Sequence, residues 1–282
     1  MRLRPGPLLM ILAALCFSMM LGCVKMARAE LPALEIVLWR GAIAAPLTIL
    51  IALPGRHFTI SRPGLLLLRV AFGMGAMLCY YTATRGMALA DLTLITRLQP
   101  VLIAIGAPLI MGATERMERG AWGLLAVGIF GCVVLLGPHL SGDGWGVWAL
   151  GALLFGAAAH IALRLLGKTE SSRAIVVWTQ LGILALALSL VMITTGGLPR
   201  IPPSSLWGWL LGVGGFATCG QLLLTKAYTL DRAGVIAAAS NISPLWAVLI
   251  DLALFATLPS TSALIGGALI LTASLGLVLR RK

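Results

Sequence analysis

Ten stretches of the chain keep apolar residues together for roughly the 20 residues that a bilayer-spanning helix requires. They are residues 7–25, 33–53, 64–84, 88–111, 119–137, 145–166, 174–195, 205–226, 233–256 and 261–279. The polar residues gather in the short connections: "PGRH" at 54–57, "TERMERG" at 114–120, "GPHLSGDG" at 137–144, "GKTESSR" at 167–173 and "GLPRIPPS" at 197–204. The third and fourth runs are nearly continuous, as are the eighth and ninth. This pattern predicts an all-α membrane protein of ten transmembrane helices. The basic, apolar start "MRLRPGPLLMILAALCFSMMLGC" has the layout of a signal peptide. With further spans following it rather than a soluble domain, it is expected to be the first helix.

Composition supports the same reading. Of 282 residues 60% are hydrophobic and 11% charged, with mean hydropathy +1.02. A soluble domain carries about a quarter charged residues. The formal charge of +12 forms no basic stripe and accompanies no nucleic-acid motif, so no nucleic-acid partner is expected. The charges follow the positive-inside rule instead. With a cytoplasmic N-terminus, fourteen Lys and Arg fall in inner loops and ends against four, Lys25, Arg28, Arg85 and Arg200, outside. Both termini are therefore expected in the cytoplasm of a bacterial inner (plasma) membrane. Five cysteines lie within spans, without a CxxC, and read as small packing residues. No Walker A loop, HExxH, GxSxG or metal-ligand cluster occurs, so no enzyme activity, cofactor or metal is expected.

The chain repeats itself weakly. "RGMALADLTLITRLQPVLIAIGAPLI" from Arg85 parallels "KAYTLDRAGVIAAASNISPLWAVLIDLAL" from Lys226, with Pro100 matching Pro244 and Arg97 matching Asn241. Each is followed by a break and a Gly-bearing last helix, "GAWGLLAVGIFGCVVLL" and "ALIGGALILTASLGLVL". Five spans per repeat is odd, so the halves, 1–138 and 139–282, must have opposite topology. Such inverted repeats are typical of secondary transporters.

The same residues carry a family resemblance. "LCFSMMLGCVKMA", "LPALEIVLWRGAIAA" with Arg40, "LRVAFGMGAMLCYYTATRGMALAD" running into the Pro100 helix, "TERMERGAWGLLAVGIFGCVVLL", the Pro244 helix and "LIGGALIL" resemble the ten-helix EamA-type members of the drug/metabolite transporter superfamily. One departure is "FATLPSTS" after the ninth span, where the family usually places a Glu, as at Glu115 after the fourth. The resemblance implies alternating access and favours export of amino acids or related metabolites. Uptake of a nutrient or vitamin is the alternative, and a non-transporting structural membrane partner is the alternative of another class.

The polar residues inside spans are the candidate site. A proline in a helix frees the carbonyl four residues earlier. Here these are Thr96 and Ser240, and such groups are tolerated in a membrane only against protein or a watery cavity. The helix-breaking Pro100 and Pro244 are thus expected at a central cavity, with Arg97, Gln99, Asn241 and Ser243 beside them. An arginine at mid-membrane costs about 2.5–3.5 kcal/mol on insertion scales. Three readings of Arg97 stay open: an ion pair with Glu35 or Asp251, binding of a substrate carboxylate or phosphate, or a gating contact with the other half. Trp246, just past Pro244, could line the cavity, and Gln221 lies towards the inner half of its span. Tyr80 and Tyr81 are either stacking residues or part of an interfacial belt. Arg40, five residues from Glu35, sits on another helix face and needs a different partner. Arg69, near the inner end of its span, is expected to snorkel. His160, within a span, could carry a proton in coupling or simply be hydrogen-bonded packing. The expected substrate is a small polar or zwitterionic metabolite. The lipid bilayer is the second partner, protons or a counter-substrate are the candidate driving species, and a homodimer is the oligomer considered.

Overall fold

The computed structural model describes residues 5–52, 59–99, 102, 119–141, 144–167, 169–230, 239–240 and 242–280. Among the described residues ten α-helices follow one another: α1 Pro5–Ala27, α2 Ala33–Ala52, α3 Pro63–Ala83, α4 Leu89–Thr96, α5 Arg119–Ser141, α6 Trp145–Leu166, α7 Ser172–Thr195, α8 Trp207–Leu230, α9 Ser243–Phe255 and α10 Thr261–Arg280. A 3-10 turn, Ser204–Leu206, leads into α8. Six of the helices are long and apolar enough to cross a membrane: α1, α2, α3, α6, α7 and α8. This is an all-α, multi-pass membrane fold.

Local chemistry sets the helix ends. Pro63 opens α3 in the first turn, where its missing N–H is not needed. Ser171 caps α7 by accepting from the Ala174 N–H at 3.2 Å. Gly196 ends α7 at φ 68°, a left-handed conformation that suits glycine. α9 ends on Ala256 in the same region, φ 50°. There the Thr257 N–H reaches back to the Asp251 carbonyl at 3.3 Å and closes the helix end.

Two large apolar cores and two smaller clusters result. One gathers α1, α2, α3, α7 and α8 around Ile36, Met74, Ile183 and Leu210. The other gathers α4, α5, α6 and α10 around Leu92, Ile95, Leu135 and Ile270. The packing partners are exchanged between halves: α1 lies chiefly on α8 and α3 on α6, while α2 meets α7, α4 meets α9 and α5 meets α10. Each of α1 to α5 thus finds its principal partner among α6 to α10. The last helices of the halves, α5 and α10, cross closely. A Cβ on Gly131 would lie 2.8 Å from the Gly266 carbonyl oxygen, and one on Gly266 would lie 2.6 Å from that of Gly131. Only glycine permits this backbone approach, as small residues commonly do at membrane helix crossings. Leu67, Phe130, Val147 and Ile193 are among the large apolar side chains left on the outer surface, where lipid tails are their natural solvent.

The fourth and ninth spans differ most from expectation. In the fourth, α4 stops at Thr96, and Arg97 and Leu98 form a turn. In the ninth, Ile242 is a turn and α9 begins at Ser243. Pro244 therefore sits in the first turn of a new helix, and not within a continuous one. Pro100, Pro108 and Asn241 lie outside the described residues.

Candidate functional site

α4 and the turn after it are held from both halves of the chain. Ala90, Thr93 and Arg97 recur at helical spacing, and each is held by a different neighbour. The Ala90 N–H donates to Asp251 Oδ2 of α9 at 2.9 Å. Tyr80 of α3 exchanges a hydrogen bond with the Thr93 hydroxyl at 3.3 Å. Arg97 Nη1 donates to the Ser240 carbonyl at 3.1 Å and to the Ser240 hydroxyl at 3.2 Å.

The last contact turns on proline chemistry. Pro244 has no N–H to give the Ser240 carbonyl four residues earlier. Two other donors take it, the Ser243 hydroxyl at 2.8 Å and the Arg97 guanidinium. A charged donor meeting a carbonyl is worth about 1.5–3 kcal/mol, which offsets much of the insertion cost of Arg97. The break in α9 and the arginine beside the break in α4 thus stabilise one another across the two halves. Arg97 does not pair with Glu35 or Asp251. Among the described residues the one ion pair joins Asp251 to Lys25 of α1, at 3.4 Å, with the ammonium also 4.4 Å from the centre of the Phe255 ring. Asp251 is 2% exposed and Lys25 16%. This buried cluster ties α1, α4 and α9 together at the end that the charge bias places outside.

The remaining candidates are placed as follows. The Gln99 amide packs on Gly156 of α6, leaving no room for a side chain there. The Gly156 carbonyl is bonded to His160 Nδ1 at 2.7 Å, so His160 is held by its own helix. Ser243 is buried. Trp246, one turn on, is half-buried, its indole N–H enclosed without a hydrogen-bond partner. Tyr80 is half-buried and within electrostatic reach of Arg97 and Asp251. Gln221 is half-buried on α8. The structure thus brings Arg97 and Ser243 onto the same Ser240 carbonyl, and sets Gln99 against Gly156, whose carbonyl holds His160. Arg69 corrects an expectation: it does not snorkel to the nearby helix end. Its Nη1 lies against Gly73 one turn deeper, because the missing side chain there opens a cradle for it.

Sequence reasoning missed Lys25, Ser240 as an acceptor for Arg97, and the buried contact of Arg40 with Gln180. The signal for Lys25 was available, as a cation at the same membrane level as Asp251. On the α1–α2 turn, Arg28 donates to the Tyr81 carbonyl at 3.0 Å and the Leu31 carbonyl at 2.6 Å. Burial, and secondarily the charge of Arg85, hold its guanidinium below the ordinary arginine range. A cavity of about 340 Å³ opens beside it, between Glu30 and Arg85. No group of three His, Cys, Asp or Glu that could hold a metal occurs among the described residues.

Two broken helices meeting between paired halves form a transporter-like centre, and relatives decide which kind. Residues 4–137 match the EamA-like transporter family. The pseudopaline exporter CntI of Pseudomonas aeruginosa is 32% identical over 99% of this chain and 98% of its own. The chain belongs to the EamA-like transporter family. Human solute carrier family 35 member G1 is 28% identical over 74% of this chain and 60% of its own. A crystal structure 18% identical in sequence superposes with TM-score 0.68 over 99% of this chain and 100% of its own; that likeness concerns the fold. This EamA-like protein is a membrane transporter of a small molecule, and not an enzyme.

Proposed function

We propose that the protein exports a small polar or zwitterionic metabolite across the bacterial inner membrane by alternating access of two repeats, residues 1–138 and 139–282. Both termini face the cytoplasm, and a proton gradient or a counter-substrate drives the cycle. The observation that carries the reading is the Arg97–Ser240 bridge. It joins the break after α4 in one repeat to the break before α9 in the other. Discontinuous helices with exposed backbone groups are where secondary transporters hold their substrates. The exporter among the relatives supports the outward direction; amino acids and related metabolites are the substrate class.

In this reading the substrate enters between the halves and takes up the polar groups at the breaks. Arg97, Gln99, Asn241, Ser243, Trp246, Tyr80 and Gln221 line its path. Arg97 exchanges the Ser240 carbonyl for an oxygen of the substrate, and the enclosed Trp246 N–H gains an acceptor. The Lys25–Asp251 pair closes the outer end while the substrate loads, and parts when the outer side opens. His160 is the candidate proton carrier.

Metabolite profiles of cells and medium test the proposal. Cells expressing the wild-type chain should deplete a polar metabolite inside and accumulate it outside relative to cells with Arg97→Gln at equal membrane abundance. Identical profiles, or a metabolite that accumulates inside instead, would overturn export.

A further inference from the structure

Two guanidinium groups lie along α3, that of Arg40 where α3 meets α2 and α7 and that of Arg69 within electrostatic reach of His160 on α6, with no carboxylate among the described residues to balance them. Arg40 of α2 is only 9% exposed. Its Nη1 is 3.4 Å from Gln180 Oε1 of α7 and 3.7 Å from Met77 Sδ of α3, and its Nε is buried without a partner. Both contacts are to neutral groups, and both are long beside the roughly 2.7–2.9 Å of a charge-assisted hydrogen bond to a carboxylate. Arg69 of α3 lies against Gly73 with its Nε likewise buried and unpartnered. The ion pair among the described residues is elsewhere, at Lys25 and Asp251.

The two groups share one seam. Arg69, Gly73, Met77 and Tyr81 recur every fourth residue, so they form a single stripe along α3. Arg40 meets that stripe at Met77 and acts electrostatically on Tyr81. From α7, Gln180 reaches Arg40, and Ile183, one turn on, reaches the Gly73 position. The guanidinium of Arg69 is therefore at the level of Gly73 and that of Arg40 at the level of Met77. These levels are one helical turn, about 6 Å, apart along α3.

Arg28 shows what a structural role looks like in this protein: it bonds two backbone carbonyls at 3.0 and 2.6 Å. Arg40 and Arg69 have no such anchor. A cation enclosed in a membrane protein with neutral, distant neighbours is a site for an anion that visits.

We infer that this seam binds an organic acid with two carboxylates, one on Arg40 and one on Arg69, as a substrate site of the transporter. The inference rests on the export reading and narrows its substrate class to dicarboxylate-bearing metabolites. The forked donors of arginine suit a carboxylate and not a neutral amide.

The full chain in phosphatidylcholine nanodiscs tests it by thermal unfolding with succinate, glutarate or citrate, against glutaramide and against potassium chloride at matched ionic strength. At least one of the acids should raise Tm saturably, while glutaramide and chloride do not. Arg40→Gln and Arg69→Gln should each weaken that response by roughly tenfold or more. Arg40→Met should abolish the response while holding or raising the Tm of the empty protein, because an unpaired buried charge is removed. The inference is overturned by no saturable shift with any acid, by equal shifts with the diamide or chloride, or by undiminished shifts in both Gln variants. It is also overturned if phosphatidylglycerol in the nanodisc gives the Arg40-dependent shift that the acids do not. Saturable flux of a neutral metabolite, untouched by these variants, would sink this inference and leave export standing. Carboxylate binding without flux of any solute would do the reverse.

Discussion

Removing the Lys25 charge, by Lys25→Met, is the sharpest perturbation of the closed end. Asp251 is 2% exposed and accepts from Lys25 at 3.4 Å and from the Ala90 N–H at 2.9 Å. At an effective dielectric of about 20, two unit charges that far apart attract by roughly 5 kcal/mol before desolvation is counted. Burial of both groups offsets much of this, so the pair adds little over apolar residues of the same size. Breaking it from one side is different. Lys25→Met leaves Asp251 buried with the backbone N–H groups of Ala90 and Leu89 as its remaining partners. The expected loss is about 3 kcal/mol, the lower end for a buried pair, because Lys25 is itself partly exposed. Asp251→Asn keeps an acceptor for Ala90 and should cost about 2 kcal/mol, by stranding Lys25. The double variant should come back to within about 1 kcal/mol of wild type. Unfolding by SDS titration in mixed micelles, followed by helix content, measures all four proteins. A Lys25→Met protein as stable as wild type, or losses that simply add in the double variant, would refute the reasoning.

Three further expectations follow from named contacts. Arg97→Gln should lower stability by about 1–3 kcal/mol, because the Ser240 carbonyl loses its charged donor, whereas Arg97→Lys should keep the fold and weaken transport; SDS unfolding and flux measured together check both. Gly266→Val should destabilise by about 1–3 kcal/mol or more, since the α5–α10 crossing has backbone where the side chain must go; loss of folded protein on size exclusion reads it out, and a fully stable variant contradicts the close approach. A reporter fused after Lys282 should be active only as a cytoplasmic reporter, and activity of a periplasmic reporter there would contradict the orientation.

The helical architecture was legible because a bilayer imposes its thickness on the sequence. The runs at 7–25, 64–84 and 145–166 became α1, α3 and α6 with ends shifted by at most two residues. The breaks were only half legible. The prolines announced them, but whether Pro244 bends a helix or starts one depends on the turn at Ile242, which hydropathy does not register. The partner of Arg97 was half legible: Pro244 marked the Ser240 carbonyl as freed and a contact with the other half was one open reading, but nothing in the pattern joined the two. A backbone carbonyl has no residue type, so attention went to the acids, and Asp251 was already engaged by Lys25, 226 residues away. Arg69 misled for a related reason. Its distance from the helix end suggested snorkelling, while Gly73, which opens the cradle, reads in sequence as one more small residue. Arg40 was correctly denied Glu35 by helical geometry, but Gln180 lies 140 residues away, and nothing local points to it.

The central claim is that this chain moves a small polar solute between its two halves. Flux by the purified protein in liposomes, across a panel of polar metabolites with and without a proton gradient, tests it most directly. The account predicts saturable movement of at least one metabolite that is lost in Arg97→Gln at equal reconstituted amount. No flux above empty liposomes for any solute, or full flux in the Arg97→Gln protein, contradicts it.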